Sequence, residues 1–153
     1  MSIIVDVQIA VQDHQLPSTE QFQRWVEDTL TDRKPEAELT LRIVTPQESQ
    51  TLNNQYRGQD KPTNVLSFPF QAPPGVEIDL LGDLIICAAV VETQASDQQK
   101  PLNAHWAHMV IHGCLHLLGY DHITNEQAQQ MESIEIDILQ QLGFNNPYIA
   151  DEI

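Results

Sequence analysis

The sequence predicts an α+β fold built on one mixed sheet, with a single buried helix at its centre. Three observations carry this. Short apolar segments with strand periodicity and longer stripes with helical periodicity are interspersed, without the regular alternation of a doubly wound sheet. Serine or threonine followed three residues later by glutamine or glutamate opens several of the helical stripes. One stretch, Pro101 to Leu118, is apolar on nearly every side, as expected of a helix sunk in the middle of a domain. A length of 153 residues suits one domain over 1–153 with a substantial core.

The elements follow in order. Ile3, Val5, Val7, Ile9 and Val11 alternate as a half-buried strand over 3–11. Ser18 and Gln21 form a capping box, and Phe22, Trp25, Val26, Thr29 and Leu30 a helical stripe behind it. Leu39, Leu41 and Ile43 mark a second strand. Thr45-Pro46-Gln47-Glu48 is a further capping box with proline at the first helical position, and its helix runs through Leu52 and Tyr56 to Gly58. After the turn-rich linker Asp60 to Asn64 comes a short strand, Val65 to Phe68, and then a surface loop at Gln71 to Gly75. Leu80 to Cys87 reads as a strand in the sheet interior and Ala88 to Ala95 as a short helix. Beyond the buried helix, Thr124 and Gln127 cap a last one carrying Met131, Ile134, Ile138 and Leu142 and closed by Gly143.

Composition excludes several classes. With 41% hydrophobic and 19% charged residues the chain is globular rather than disordered. No apolar run approaches the ~20 residues that span a bilayer. The start Met-Ser-Ile-Ile-Val-Asp has an early acid and no positive region, which predicts no signal peptide. Two cysteines give no disulfide framework, so a reducing cytoplasm is the expected setting. Cys87 is expected to pack as a small hydrophobe, and Cys114 to face away from His112 on the same helix. Net charge is −15. That opposes non-specific nucleic-acid binding, so a polyanionic substrate must find a local positive spot.

Chemistry concentrates in the run His112-Gly-Cys-Leu-His116-Leu-Leu-Gly119-Tyr-Asp-His122. Two histidines four residues apart stack on one helix face. Gly119 can leave the helix through a left-handed conformation, which lets the chain reverse and return His122 to the first two. Three neutral imidazoles converging on one point are the ligand set of a catalytic Zn²⁺ with an open fourth position. Ni²⁺ or Cu²⁺ would also bind such a set in vitro. The spacing matches the metzincin pattern H-E-x-x-H-x-x-G-x-x-H, except that Gly113 stands where that pattern has its general base. The cradle is kept and the peptidase base is not, which points to metal-assisted hydrolysis of something other than an ordinary peptide bond.

Other candidates are ranked by position. His108, one turn before His112, is expected in the outer shell or facing substrate. His105 is expected at the surface, and His14 to be solvated. Asp121 either orients an imidazole or caps the following helix. Tyr120 is expected to pack. Arg57 and Lys61 flank the turn Gly58-Gln59-Asp60 and form either an anion clamp or a solvated loop.

Two segments together resemble a known family. Tyr56-Arg57-Gly58-Gln59-Asp60-Lys61-Pro62-Thr63-Asn64-Val65-Leu66-Ser67-Phe68-Pro69, then Leu81-Gly82-Asp83, then His112 to His122 are similar to the YbeY family, bacterial metal-dependent endoribonucleases of ribosomal RNA maturation. The likeness spans roughly residues 40 to 125. Asn64 is a departure, since the family often has Asp there. The resemblance implies a four-stranded sheet packed by helices, and His112, His116 and His122 as ligands of one zinc ion. It also implies Arg57 as a functional cation beside the metal, and Lys61, His108 and Asp121 stand near these positions. Its implied substrate is single-stranded RNA, notably the 3′ end of 16S ribosomal RNA, with ribosome quality control as a linked role. Small-subunit proteins or assembly factors are the expected partners, guiding so acidic a chain to RNA; no membrane is involved. Attack by water activated at the metal or by the ribose 2′-hydroxyl would leave different RNA ends. Two rivals stand beside this: a metzincin-like metallohydrolase, and a non-catalytic ribosome assembly factor braced by zinc.

Overall fold

The computed structural model describes residues 2–148. In chain order its elements are β1 (Ile3–Ile9), α1 (Thr19–Leu30), β2 (Ala37–Val44), α2 (Pro46–Arg57), β3 (Val65–Pro69), β4 (Leu80–Cys87), α3 (Ala88–Asp97), α4 (Leu102–Leu117) and α5 (Asn125–Gln141). Each lies where the periodicity places one. β1 stops at Ile9 rather than Val11, although Val11 still packs against the core. The four strands run in the order β1-β2-β4-β3. β1, β2 and β4 are parallel, while β3 lies antiparallel to β4 on the edge.

Sheet order explains the sequence patterns. β4 is an inner strand covered on both sides: Leu84 and Ile86 join the main core, Ile85 and Cys87 a smaller cluster on the other face. It therefore reads as an unbroken apolar run. β2 has only one fully dry face, so Leu39, Leu41 and Ile43 alternate with Glu38, Thr40 and Arg42. In the main core Phe22 of α1 meets Trp25 and Trp106 edge-on, each with ring centroids 5.8 Å apart. On the opposite face Leu52 of α2 and Phe68 of β3 close the smaller cluster.

The capping boxes at Ser18–Gln21 and Thr124–Gln127 are complete. The expected box at Thr45 is one-sided. Thr45 accepts from the Glu48 amide at 3.2 Å, but the Glu48 carboxylate turns to Arg42 Nε at 2.7 Å. A guanidinium on the adjacent strand is a stronger partner for a carboxylate than a backbone N–H. Among the described residues no helix is long and apolar enough to cross a membrane.

Candidate metal centre

α4 carries four histidines, His105, His108, His112 and His116, at spacings of three, four and four on one face. The opposite faces are pinned by packing. A Cβ at Gly113 would lie 2.7 Å from Leu84 Cδ2 and 3.2 Å from Val65 Cγ2, so the helix rests on the sheet at a depth where any side chain would have to push Leu84 aside. Ser67 Oγ donates to the Gly113 carbonyl at 3.2 Å and fixes the same contact from β3. Position 113 thus faces the sheet. The site where metzincins carry their base is filled by the strands behind it.

The helix ends as its sequence requires. Gly119 has φ +104 with open space around it, so conformation and not crowding selects glycine there. The Gly119 and Tyr120 amides return to the carbonyls of His116 and Leu115 at 3.0 Å. Asp121 Oδ1 then accepts from the His122 amide at 2.8 Å and shapes the turn. His122 comes back over the helix: ring centroids are 4.6 Å apart for His112–His116, 5.0 Å for His116–His122 and 5.7 Å for His112–His122. One nitrogen from each of the three lies within 4.8 Å of the others.

Behind the trio sits an acid that sequence reasoning passes over. Glu135 of α5 is fully buried, and its carboxylate takes His112 Nδ1 on one oxygen and His108 Nε2 on the other, both at 2.7 Å. The Tyr148 hydroxyl also donates to the oxygen facing His108. Burial alone would raise this carboxyl, but the hydrogen bonds from His108 and His112 outweigh it and bring it down to about 2. Glu135 is therefore ionised, and His112 must present its protonated Nδ1 to it. That leaves the His112 Nε2 lone pair aimed into the trio. The signal was present in the sequence: position 135 falls within the apolar stripe from Met131 to Ile138, and an acid on a buried stripe calls for a partner.

These residues fit a metal ion. His112 Nε2 and His116 Nε2 are 3.1 Å apart. Two imidazole nitrogens bound tetrahedrally at 2.0–2.1 Å would stand about 3.3 Å apart. His116 lies below the usual histidine range, first through burial and then through the neighbouring His112 and His122, so the neutral, ligating form is favoured. A second group of possible ligands, His108, His112 and Glu135, is already closed by its own short hydrogen bonds.

The trio opens onto a groove of about 850 Å³ that runs over the β3 edge to the end of α2. Arg57, the last residue of α2, is exposed and lines it with Tyr120 and Asp121. Lys61 is exposed and is not among the residues that line it. Asp121 does not cap α5, which Thr124 does, and its Oδ1 is 4.0 Å from His122 Nδ1. Tyr120 packs against the core edge while facing the groove. Asn64 accepts from the Val65 amide at 2.7 Å and donates to Gln94 at 3.2 Å. Cys114 is fully buried, its thiol pushed up to about 12 by that burial, and Cys87 is likewise buried.

Two expectations are corrected. His105 is not at the surface: it is 4% exposed, with Nε2 2.9 Å from Gln94 Oε1, because α3 and the segment after α5 cover this end of α4. His14 is not simply solvated but half-buried, with Nδ1 2.9 Å from the Glu92 carboxylate.

Fold and site together define an α+β domain in which a buried helix and its following turn gather three imidazoles at the floor of a groove. The chain belongs to the YbeY endoribonuclease family, whose model, described as Endoribonuclease YbeY, matches residues 7–143. That span holds the histidine trio, Glu135 and Arg57. Among solved structures, the solution structure of TM1509 from Thermotoga maritima is similar over 95% of this chain and 99% of that one, with 23% identity and a TM-score of 0.59. This second likeness is one of fold.

Proposed function

We propose that this chain is a zinc-dependent, single-strand-specific endoribonuclease of the cytoplasm, acting on the 3′ end of 16S ribosomal RNA and in ribosome quality control. The observation that carries the reading is the convergence of His112, His116 and His122 in a groove that Arg57 also lines, in a chain of an endoribonuclease family. His112, His116 and His122 would hold the ion. Bound there, zinc supplies Lewis acidity, bringing the pKa of water to about 7 and drawing charge from a phosphoryl oxygen.

The chain's own residues do the rest. Glu135 keeps the His112 ring in the tautomer that presents Nε2 to the site. Arg57, with its planar fork of donors, binds the phosphodiester and stabilises the charge that builds on it. Position 113 offers the groove no carboxylate, because it is pressed on the sheet, and the carboxylate beside His112, that of Glu135, is engaged with His112 Nδ1. That same packing opposes the metallopeptidase alternative. The acidic surface leaves affinity for free RNA low, so ribosomal small-subunit proteins or assembly factors deliver the substrate.

The test is cleavage of a defined single-stranded RNA by zinc-loaded protein, with the new termini identified. His116→Ala should abolish cleavage, and Arg57→Ala should slow it by about 100- to 1,000-fold, the scale for losing one charge-stabilising group. Full biological activity of Arg57→Ala would instead support a non-catalytic factor braced by its metal.

A further inference from the structure

The groove that holds the histidine trio is also lined by Tyr56, Phe68 and the edge of β3. Tyr56 is 60% exposed although it is a large aromatic side chain. It is held edge-on against Phe68, ring centroids 5.1 Å apart at 65°, and Phe68 in turn packs on the smaller core cluster. The ring is therefore braced from behind and open in front. It stands next to Arg57 in sequence and lines the same groove.

The β3 edge has a definite chemical character. Cys87 N–H donates to the Asn64 carbonyl and Phe70 N–H to the Leu81 carbonyl, which fixes the even-numbered residues as those bonded to β4. Val65, Ser67 and Pro69 turn their backbone groups outward, where no strand lies among the described residues. The Val65 N–H is taken by Asn64 Oδ1, and Pro69 has none. The edge thus offers the carbonyls of Val65, Ser67 and Pro69 against the single N–H of Ser67. A row so rich in acceptors suits ribose hydroxyls and base amino groups and repels phosphate. A peptide strand, which needs alternating partners, is poorly served by it.

We propose that Tyr56, braced by Phe68, and the outward carbonyls of β3 form a nucleotide subsite, where one base of single-stranded RNA stacks on Tyr56 while its adjoining phosphate reaches Arg57. The inference rests on the nuclease reading and names how that site selects its ligand. Stacking is the usual means of holding unpaired bases, since every base has a π-face. It also suits an acidic protein, because the attraction does not depend on net positive charge.

Two measurements on the full zinc-loaded chain test it. In the first, the chain's three tyrosines are labelled as 3-fluorotyrosine and assigned by single Tyr→Phe changes. Adenosine 5′-monophosphate, which has no internucleotide bond to cut, should then shift the Tyr56 fluorine saturably, and ribose 5-phosphate should not. In the second, Tyr56→Ala should raise KM for a five-nucleotide RNA about tenfold with kcat within twofold, and Tyr56→Phe should behave as wild type. An abasic site at the stacked position should weaken the wild type equally and cost Tyr56→Ala nothing more. A Tyr56 signal unmoved by the nucleotide, or an unchanged KM in Tyr56→Ala, overturns the subsite. Absence of RNA cleavage by the wild type would sink the nuclease reading instead, and the nucleotide titration would still decide the subsite.

Discussion

The two halves of α4 carry the same residue on the same face and put it to different uses. Toward the N-terminal end, His105 and His108 are 4% and 7% exposed, and their bonded nitrogens meet protein: Gln94 for one, Glu135 and Tyr148 for the other. One turn further on, the His112 side chain is 23% exposed, and beyond it His116 and His122 turn nitrogens toward one another at the groove. Helical spacing put all four on one line. What separates them is the cover: α3, α5 and the segment after α5 seal the first half, and among the described residues nothing comparable lies over the second. The remaining nitrogens of His105 and His108, both Nδ1, have no hydrogen-bond partner either but are buried, so what makes a histidine available for a metal here is a nitrogen that faces the groove. His112 belongs to both halves, with Nδ1 tied to Glu135 and Nε2 directed at the trio.

The harshest way to break this contrast is to ask a residue on the wrong face to join the site. Gly113→Glu completes the metzincin pattern in sequence, yet its side chain would have to enter the 2.7 Å gap to Leu84. Overpacking of a filled core costs about 1–3 kcal/mol, and an unpaired buried carboxylate adds several more. We expect a variant that folds poorly or melts far below wild type, with no peptide cleavage. A well-folded Gly113→Glu protein that cuts peptides would show that the helix face does not decide what enters the groove.

Cutting the link between the halves is the next largest perturbation. Glu135→Gln keeps the shape but removes the charge that fixes the His112 ring, and loss of such outer partners weakens metal binding about 10- to 100-fold. Competition with a chromogenic chelator measures this directly. The same carboxyl sets an acid limit on the metal-free protein. Its folded value, about 2, lies below its ordinary 4.5, so its contribution is complete above 4.5 and is lost as pH falls toward 2. Glu135→Gln should therefore flatten the acid limb of a melting-temperature profile in that window.

Much of this was legible in the residues, and the gaps have a common cause. Capping boxes, strand alternation and the Gly119 reversal are local, and each placed its element or turn. The trio followed, because one glycine and two helical spacings suffice to bring His122 back. What a neighbouring element supplies was not legible. His105 sits on an apolar helix like His112, and only the arrival of α3 and the chain after α5 separates their fates. Glu48 looks like a capping partner until β2 brings Arg42 beside it. Glu135 is the intermediate case: its place on a buried stripe was visible in the sequence, but its two histidine partners come from another helix and a third, Tyr148, from the chain after α5. Arg57 and Lys61 differ for the same reason, since the groove passes one and not the other.

The mildest test removes a histidine from the sealed half. At neutral pH His105→Gln should change little, since glutamine can still reach Gln94 and no charge is lost. Its effect should appear on acidification. Burial first, and then the nearby His108 and Lys100 charges, hold His105 down to about 4 against an ordinary 6.5. The unfolded chain takes up a proton there as pH falls through 6.5 and the folded chain does not. Wild-type stability is thus unaffected above 6.5, declines between 6.5 and 4 by on the order of 3 kcal/mol, and levels off below. His105→Gln should lose that segment of the decline, so its melting temperature converges on or exceeds wild type near pH 4. Zinc affinity at neutral pH should stay within twofold, because His105 belongs to neither group of possible ligands. A His105→Gln protein with normal acid sensitivity but weakened zinc binding would mean that the sealed half reaches the metal after all, and the boundary between the two halves would have to be drawn before His105 rather than at His112.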